Sequence, residues 1–217
     1  MKRKIMIIDD HPIIHDGLRT LLSTEPDLQV ADSAMSSSEA MKLLARSVPD
    51  LAIIDLSLGD TDGTTLIKQI HMDYEQLPIL VYTMSEERLY AERVANAGAQ
   101  GYVMKTSSPK ELKKAIRAVL DGKPFFNPDI LERIRQKRSG AENNTNSLLD
   151  VLSDREMSIF NLLGQGLNSA EIGARLNISP NTVDTHRINM KNKLGLPSGR
   201  ALIELAHDVI RNGMIMD

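Results

Sequence analysis

Five polar residues in the first half of this chain stand where apolar, strand-forming runs end. Asp9 and Asp10 follow Ile5–Ile8, Asp55 interrupts the run Leu51–Leu58, Thr83 closes Ile79–Thr83, and Lys105 closes Gly101–Lys105. Read alone, Asp55 is an ordinary turn opener, Asp9 and Asp10 are helix caps, Thr83 is a β-branched core residue and Lys105 is a solvated charge. Read together, they are a chemical set. Three carboxylates held close repel one another unless a cation compensates, and an all-oxygen site with room for water suits Mg²⁺. A carboxylate beside that ion can attack a phosphoryl group in line, while the metal, an ammonium and a hydroxyl stabilise the equatorial oxygens. Asp55, Lys105 and Thr83 fit the nucleophile, ammonium and hydroxyl roles.

Such a set works only if the strand ends meet. The first half alternates strands and helices: the weaker strand Leu28–Ala31 leads to a helix that Ser37 or Ser38 can cap. Leu66, Ile67 and Ile70 mark a third helix after the loop Gly59–Gly63. Ser85 is placed to cap a fourth helix that Gly98 stops, and Ser108, Pro109 and Glu111 spell a capping box for a fifth that Gly122 closes. Five βα units imply a doubly wound, five-stranded parallel sheet with right-handed crossovers. In the flavodoxin-like strand order 2-1-3-4-5, the four strand ends carrying the set fall on one edge.

The 217 residues suggest two small domains. Residues 1–122 carry 14 Lys and Arg against 18 Asp and Glu, a net of −4, whereas residues 123–217 carry 12 against 11, a net of +1. The acidic half suits a cation, but the second half is not basic enough for composition alone to imply nucleic acid. No apolar run approaches membrane-spanning length, and there is no cysteine, so a cytoplasmic protein without disulfide or thiolate chemistry is expected. Ser139–Ser147 has almost nothing to bury and reads as the heart of a linker over 123–147, with Phe125–Arg138 able to form a short helix.

Residues 3–122 resemble the receiver domain of bacterial two-component response regulators, with Asp9-Asp10, Asp55, Thr83 and Lys105 in the expected order. The resemblance implies a receiver over 1–122 in which Asp55 is phosphorylated by a histidine kinase. It also implies Mg²⁺ on Asp10, Asp55 and the Ser57 backbone carbonyl with Asp9 assisting, and Tyr102 as an aromatic switch moving with Thr83. Leu58-Gly59 and Met84 depart from the family pattern, which bears on the lifetime of the phosphoryl group. His11 and His15 look like further ligands, yet imidazole is softer than a Mg²⁺ site prefers, and helix-start packing is the expected role.

From Val151 onward only helices are expected. A capping box at Ser153–Glu156 opens one, and Gly164 and Gly166 break it. Ser169–Leu176, a turn through Asn177–Ser179, and Pro180–Leu194 form a helix-turn-helix, and a last helix spans about Ser198–Arg211. With Val183, Met190 and Leu194 facing inward, the opposite face of the second helix carries Asn181, Thr185, Ile188 and Asn192, with Arg187, Lys191 and Lys193 flanking toward phosphates. Asp184 is unfavourable near phosphate; it either accepts a hydrogen bond from cytosine or orients a neighbour.

Residues 148–212 resemble the LuxR-type DNA-binding domain of the NarL/FixJ response regulators through Leu152–Glu156, Gly166-Leu167, Thr182-Val183, His186 and Lys193–Gly195. The resemblance implies a helix-turn-helix domain over 148–217, with base contacts at Asp184, Thr185 and Ile188. The expected protein is a binding switch, not an enzyme: phosphorylation of Asp55 would control promoter DNA binding, with a histidine kinase, a second copy of the chain and RNA polymerase as partners. The alternative is a phospho-regulated protein-binding module. An aspartyl-phosphate phosphatase would want a second Asp where Ser57 stands.

Overall fold

The computed structural model describes residues 2–58, 61–138 and 148–212, which fall into two compact units that part within 139–147. The expected linker Ser139–Ser147 and Gly59 of the loop after Asp55 lie outside the described residues.

The first unit is a parallel sheet, as the strand and helix alternation requires, in the expected order β2-β1-β3-β4-β5. Its strands are β1 (Arg3–Ile8), β2 (Leu28–Ala34), β3 (Leu51–Ile54), β4 (Ile79–Thr83) and β5 (Gly101–Met104). Helices α1 (Pro12–Ser23), α2 (Ser37–Leu44), α3 (Gly63–Asp73), α4 (Glu87–Ala97) and α5 (Pro109–Leu120) cross between or follow them. Ile5–Ile8 of β1 and the whole of β3 are apolar without alternation because both of their faces are covered. Ile5, Ile7, Leu51, Ile53 and Leu80 pack with Leu112, Ile116 and Val119 of α5 in one buried cluster. The register pairs Ile8 with Ile54, so the two strands end together and deliver Asp9 and Asp55 side by side.

Some boundaries differ from expectation. β2 continues to Ala34, and α2 is capped by Ser36, whose side chain accepts from the Glu39 backbone, instead of by Ser37 or Ser38. Ser85 does not cap α4: the N-cap is Glu86, and Ser85 is buried, its amide donating to Thr83 Oγ1. Gly98 closes α4 in the left-handed region, where a Cβ would also run into His71. Beyond α5, Phe125 lies parallel to β5, its carbonyl accepting from Tyr102 N at 2.8 Å, and so covers that sheet edge. The expected short helix is α6 (Pro128–Arg138); it lies on α4 through buried Ile130 and Ile134 and an Arg133–Glu92 ion pair at 3.0 Å.

The second unit contains, among its described residues, a 3₁₀ turn (Leu148–Val151) and helices α7 (Asp154–Gly164), α8 (Ser169–Leu176), α9 (Pro180–Lys193) and α10 (Gly199–Asn212). The Ser153–Glu156 capping box is formed in full, and a second one, Asn168 with Glu171, opens α8. α7 stops at Gly164, as expected, and a Cβ there would stand 2.5 Å from the Ala206 carbonyl, so its lack of a side chain also lets α10 approach closely. Leu202, Leu205, Ala206 and Val209 of α10 are buried against this module, which makes that stripe core.

Candidate functional site

The acidic edge is assembled as the strand ends demand. Asp55 is 3% exposed and Asp9 2%, and Lys105 reaches both: its Nζ lies 2.6 Å from Asp9 Oδ2 and 2.7 Å from Asp55 Oδ2. Lys105 is therefore no solvated charge; its side chain is nearly buried. Burial alone would depress its pKa, but the Asp55 charge and the hydrogen bonds to Asp55 and Asp9 prevail and raise it, so the ammonium persists. The second Asp55 oxygen, Oδ1, accepts from Ser57 N at 3.2 Å.

Asp10 and His11 complete the cluster. Ligand atoms of Asp9, Asp10, His11 and Asp55 all lie within 4.8 Å of one another. Asp10 Oδ1 is buried and accepts no hydrogen bond; His11 Nδ1 stands 2.8 Å away without hydrogen-bond geometry. An oxygen-rich donor set with one buried carboxylate oxygen that accepts no hydrogen bond fits a hard divalent cation such as Mg²⁺. His11 N also donates to Asp9 Oδ1, while the ring itself is half exposed.

Residues behind the edge hold it in place. His15, buried on α1, donates from Nε2 to the Asp9 carbonyl at 2.7 Å; a carbonyl only accepts, which fixes the protonated nitrogen. Gly63 brings the start of α3 against the Asp55 backbone: a Cβ there would stand 2.5 Å from Leu56 Cα and 2.6 Å from the Asp55 carbonyl. Thr83 is buried, its Oγ1 accepting from Ser85 N at 3.3 Å. Tyr102 is 2% exposed and its hydroxyl donates to the Ser85 carbonyl at 2.8 Å. Burial foremost, with the charges of Glu87, Asp55 and Glu86 behind it, pushes that phenol well above its usual pKa. Met84 is largely exposed at the end of β4.

In the second unit α8 and α9 make the expected helix-turn-helix. Val183, Met190 and Leu194 are buried and His186 lies partly buried between them, leaving Asn181, Asp184, Thr185, Ile188 and Asn192 exposed along α9. Ile188, an exposed aliphatic on a polar face, is unexplained by the packing of its own unit. Lys191 is partly buried in the last turn, and Lys193, 42% exposed, pairs at 2.6 Å with Glu156, buried at the start of α7. Arg187 is likewise engaged, donating to Ser169 Oγ and Asp184 Oδ1.

Two family models match the two units. Residues 5–117 match the response regulator receiver domain and residues 150–206 the bacterial regulatory proteins of the luxR family. The chain is a NarL/FixJ-type response regulator. It is similar to the transcriptional regulatory protein UhpA of Salmonella typhimurium, 34% identical over 203 residues that span 94% of this chain and 95% of that one. It is also similar to the response regulator protein VraR of Staphylococcus aureus, 33% identical over 89% of this chain and 91% of that protein. Among solved structures, RcsB from Salmonella enterica serovar Typhimurium bound to promoter rprA with the phosphomimetic BeF₃⁻ is 27% identical. It covers 95% of this chain and 99% of its own, with a TM-score of 0.64.

As a response regulator the chain brings Asp9, Asp10, Asp55, Thr83 and Lys105 to one edge, with Ser57 beside Asp55 and Tyr102 inside the fold. Sequence reasoning did not find Gly63, His15 as a support of the Asp9 carbonyl, or Ser169. Only Gly63 left a signal, as the glycine at which α3 begins. Among the described residues no helix is long and apolar enough to cross a membrane.

Proposed function

We propose that Asp55 is the phosphoacceptor of this response regulator and that its phosphorylation switches sequence-specific binding of α9 to promoter DNA. The observation that carries the reading is the Asp55 carboxylate, buried at the end of β3 between Lys105 and the Asp9-Asp10 pair. An Asp55 oxygen forms a bond to phosphorus as the bond from phosphorus to the donor's leaving group breaks, the donor being a phosphohistidine of a cognate kinase. Lys105, already hydrogen-bonded to Asp55, passes to a phosphoryl oxygen, and the Thr83 hydroxyl gives up Ser85 N to donate to another. Asp9, Asp10, Asp55 and the Ser57 carbonyl are the groups that would hold Mg²⁺, which when bound supplies positive charge for the phosphoryl oxygens.

Thr83 is linked to Tyr102 through Ser85, so a move of the hydroxyl reaches the start of α4 and, beyond it, α6. A surface altered in this way suits pairing of two copies on DNA, and the RcsB structures include two dimers bound to two parallel DNAs. The protein works in the cytoplasm, where kinase, DNA and RNA polymerase are within reach. Genome-wide mapping of bound sites for wild type and Asp55→Ala tests the reading. Loss of occupancy in the variant supports it; identical occupancy contradicts the switch, and binding to a protein without any DNA protection would favour a protein-binding module.

A further inference from the structure

Asp184 stands on the exposed face of α9, in line with Asn181 and Ile188 at helical spacing, where a bare carboxylate would be repelled by DNA phosphates. It is not bare. Ser169 Oγ, at the first position of α8, donates to Asp184 Oδ1 at 2.6 Å, and Arg187 donates from one nitrogen to Ser169 Oγ at 2.7 Å and to Asp184 Oδ1 at 3.1 Å. The knot joins both helices of the helix-turn-helix. It offsets the carboxylate charge with a guanidinium that is itself only 26% exposed, and it fixes the Asp184 side chain, 54% exposed, by one oxygen. Oδ2 takes no part in it.

We propose that Asp184 is a specificity-determining residue that selects a C·G pair through Oδ2; the proposal rests on α9 being the DNA-reading helix. An ionised carboxylate oxygen only accepts hydrogen bonds. In the major groove guanine offers N7 and O6 and thymine O4, all acceptors, while adenine sets its N6 donor beside the N7 acceptor. Cytosine alone presents an amino donor with no acceptor on the same base, so it is the base a fixed carboxylate tolerates and pairs with. The position, fifth in α9, lies in the N-terminal half of the helix, the part that meets base edges when such a helix enters the groove.

Selection of binding sites from a random duplex pool by the full-length protein, treated with a small-molecule phosphodonor, tests this. Wild type should enrich a motif in which one position of each half-site is a C·G pair, preferred about tenfold. Asp184→Ala should lose the preference at that position alone, and Asp184→Asn should move it to A·T, because the amide can pair with adenine N6 and N7. Retention of the other motif positions reports that the variants are folded; if Asp184→Ala enriches nothing, Asp184→Asn carries the test. An unchanged motif in Asp184→Asn, or an A·T pair in wild type at the position that changes, overturns the inference while leaving DNA reading by α9 intact. If wild type enriches no motif, the DNA-reading assignment fails and the inference with it.

Discussion

The Tyr102 hydroxyl donates to the Ser85 carbonyl at 2.8 Å, inside a fold where the ring is almost fully buried. The ring therefore already occupies the inward position, and Thr83 meets the same residue through the Ser85 amide. Tyr102→Phe keeps the packing and leaves a buried carbonyl unpaired, which should cost about 1 to 2 kcal/mol. Urea denaturation followed by amide exchange in β5 measures it. A loss of that size in Tyr102→Phe, and of about 3 to 5 kcal/mol in Tyr102→Ala, is expected; equal stability in all three would mean the ring is not held there.

Gly63 sets how closely α3 approaches Asp55. Gly63→Ala places a methyl against backbone at Leu56 and Asp55, which no rotamer relieves, so the loop must shift. The expected outcome is a loss of about 1 to 3 kcal/mol and slower phosphoryl uptake by Asp55 at saturating phosphodonor. Uptake at the wild-type rate would show that the site does not depend on this contact.

The pair between Lys193 and Glu156 gives the second unit a defined response to acid. Burial would raise the Glu156 pKa, but the Lys193 and Ser153 hydrogen bonds prevail and hold it below 4.5. A carboxylate whose folded pKa is depressed contributes its stability above the unfolded value and loses it as pH falls through the folded one. Glu156→Gln should thus cost about 1 kcal/mol at neutral pH, Lys193 being partly exposed, and the difference from wild type should shrink below pH 4.5. Amide exchange in α7 across that range checks the sign; a cost that grows on acidification would contradict it.

The parallel sheet was legible because it follows from the alternation of buried strands with amphipathic helices, and Asp9, Asp55, Thr83 and Lys105 meet because its order is 2-1-3-4-5, which alternation alone does not fix. Once β1 and β3 end in register, that order places those residues. The helix-turn-helix was legible from Ser179-Pro180 and the spacing of Val183, Met190 and Leu194. What the sequence hid are contacts between elements. Lys193 meets Glu156 across 37 positions and Arg187 meets Ser169 across 18, so their basic side chains read as free cations until the helices are packed. Ser85 read as a cap because serine before an acidic pair usually is one; its burial beside Thr83 and Tyr102 gives its backbone another use. Gly164 was legible as a helix stop, but periodicity cannot reveal that α10 lies against it.

Whether Asp55 receives the phosphoryl group is decided by intact-mass measurement after incubation with an acyl phosphate and Mg²⁺. One added phosphoryl group, hydrolysed in base, is expected on the wild-type chain and none on Asp55→Asn. Equal incorporation by the two proteins would contradict the assignment of Asp55.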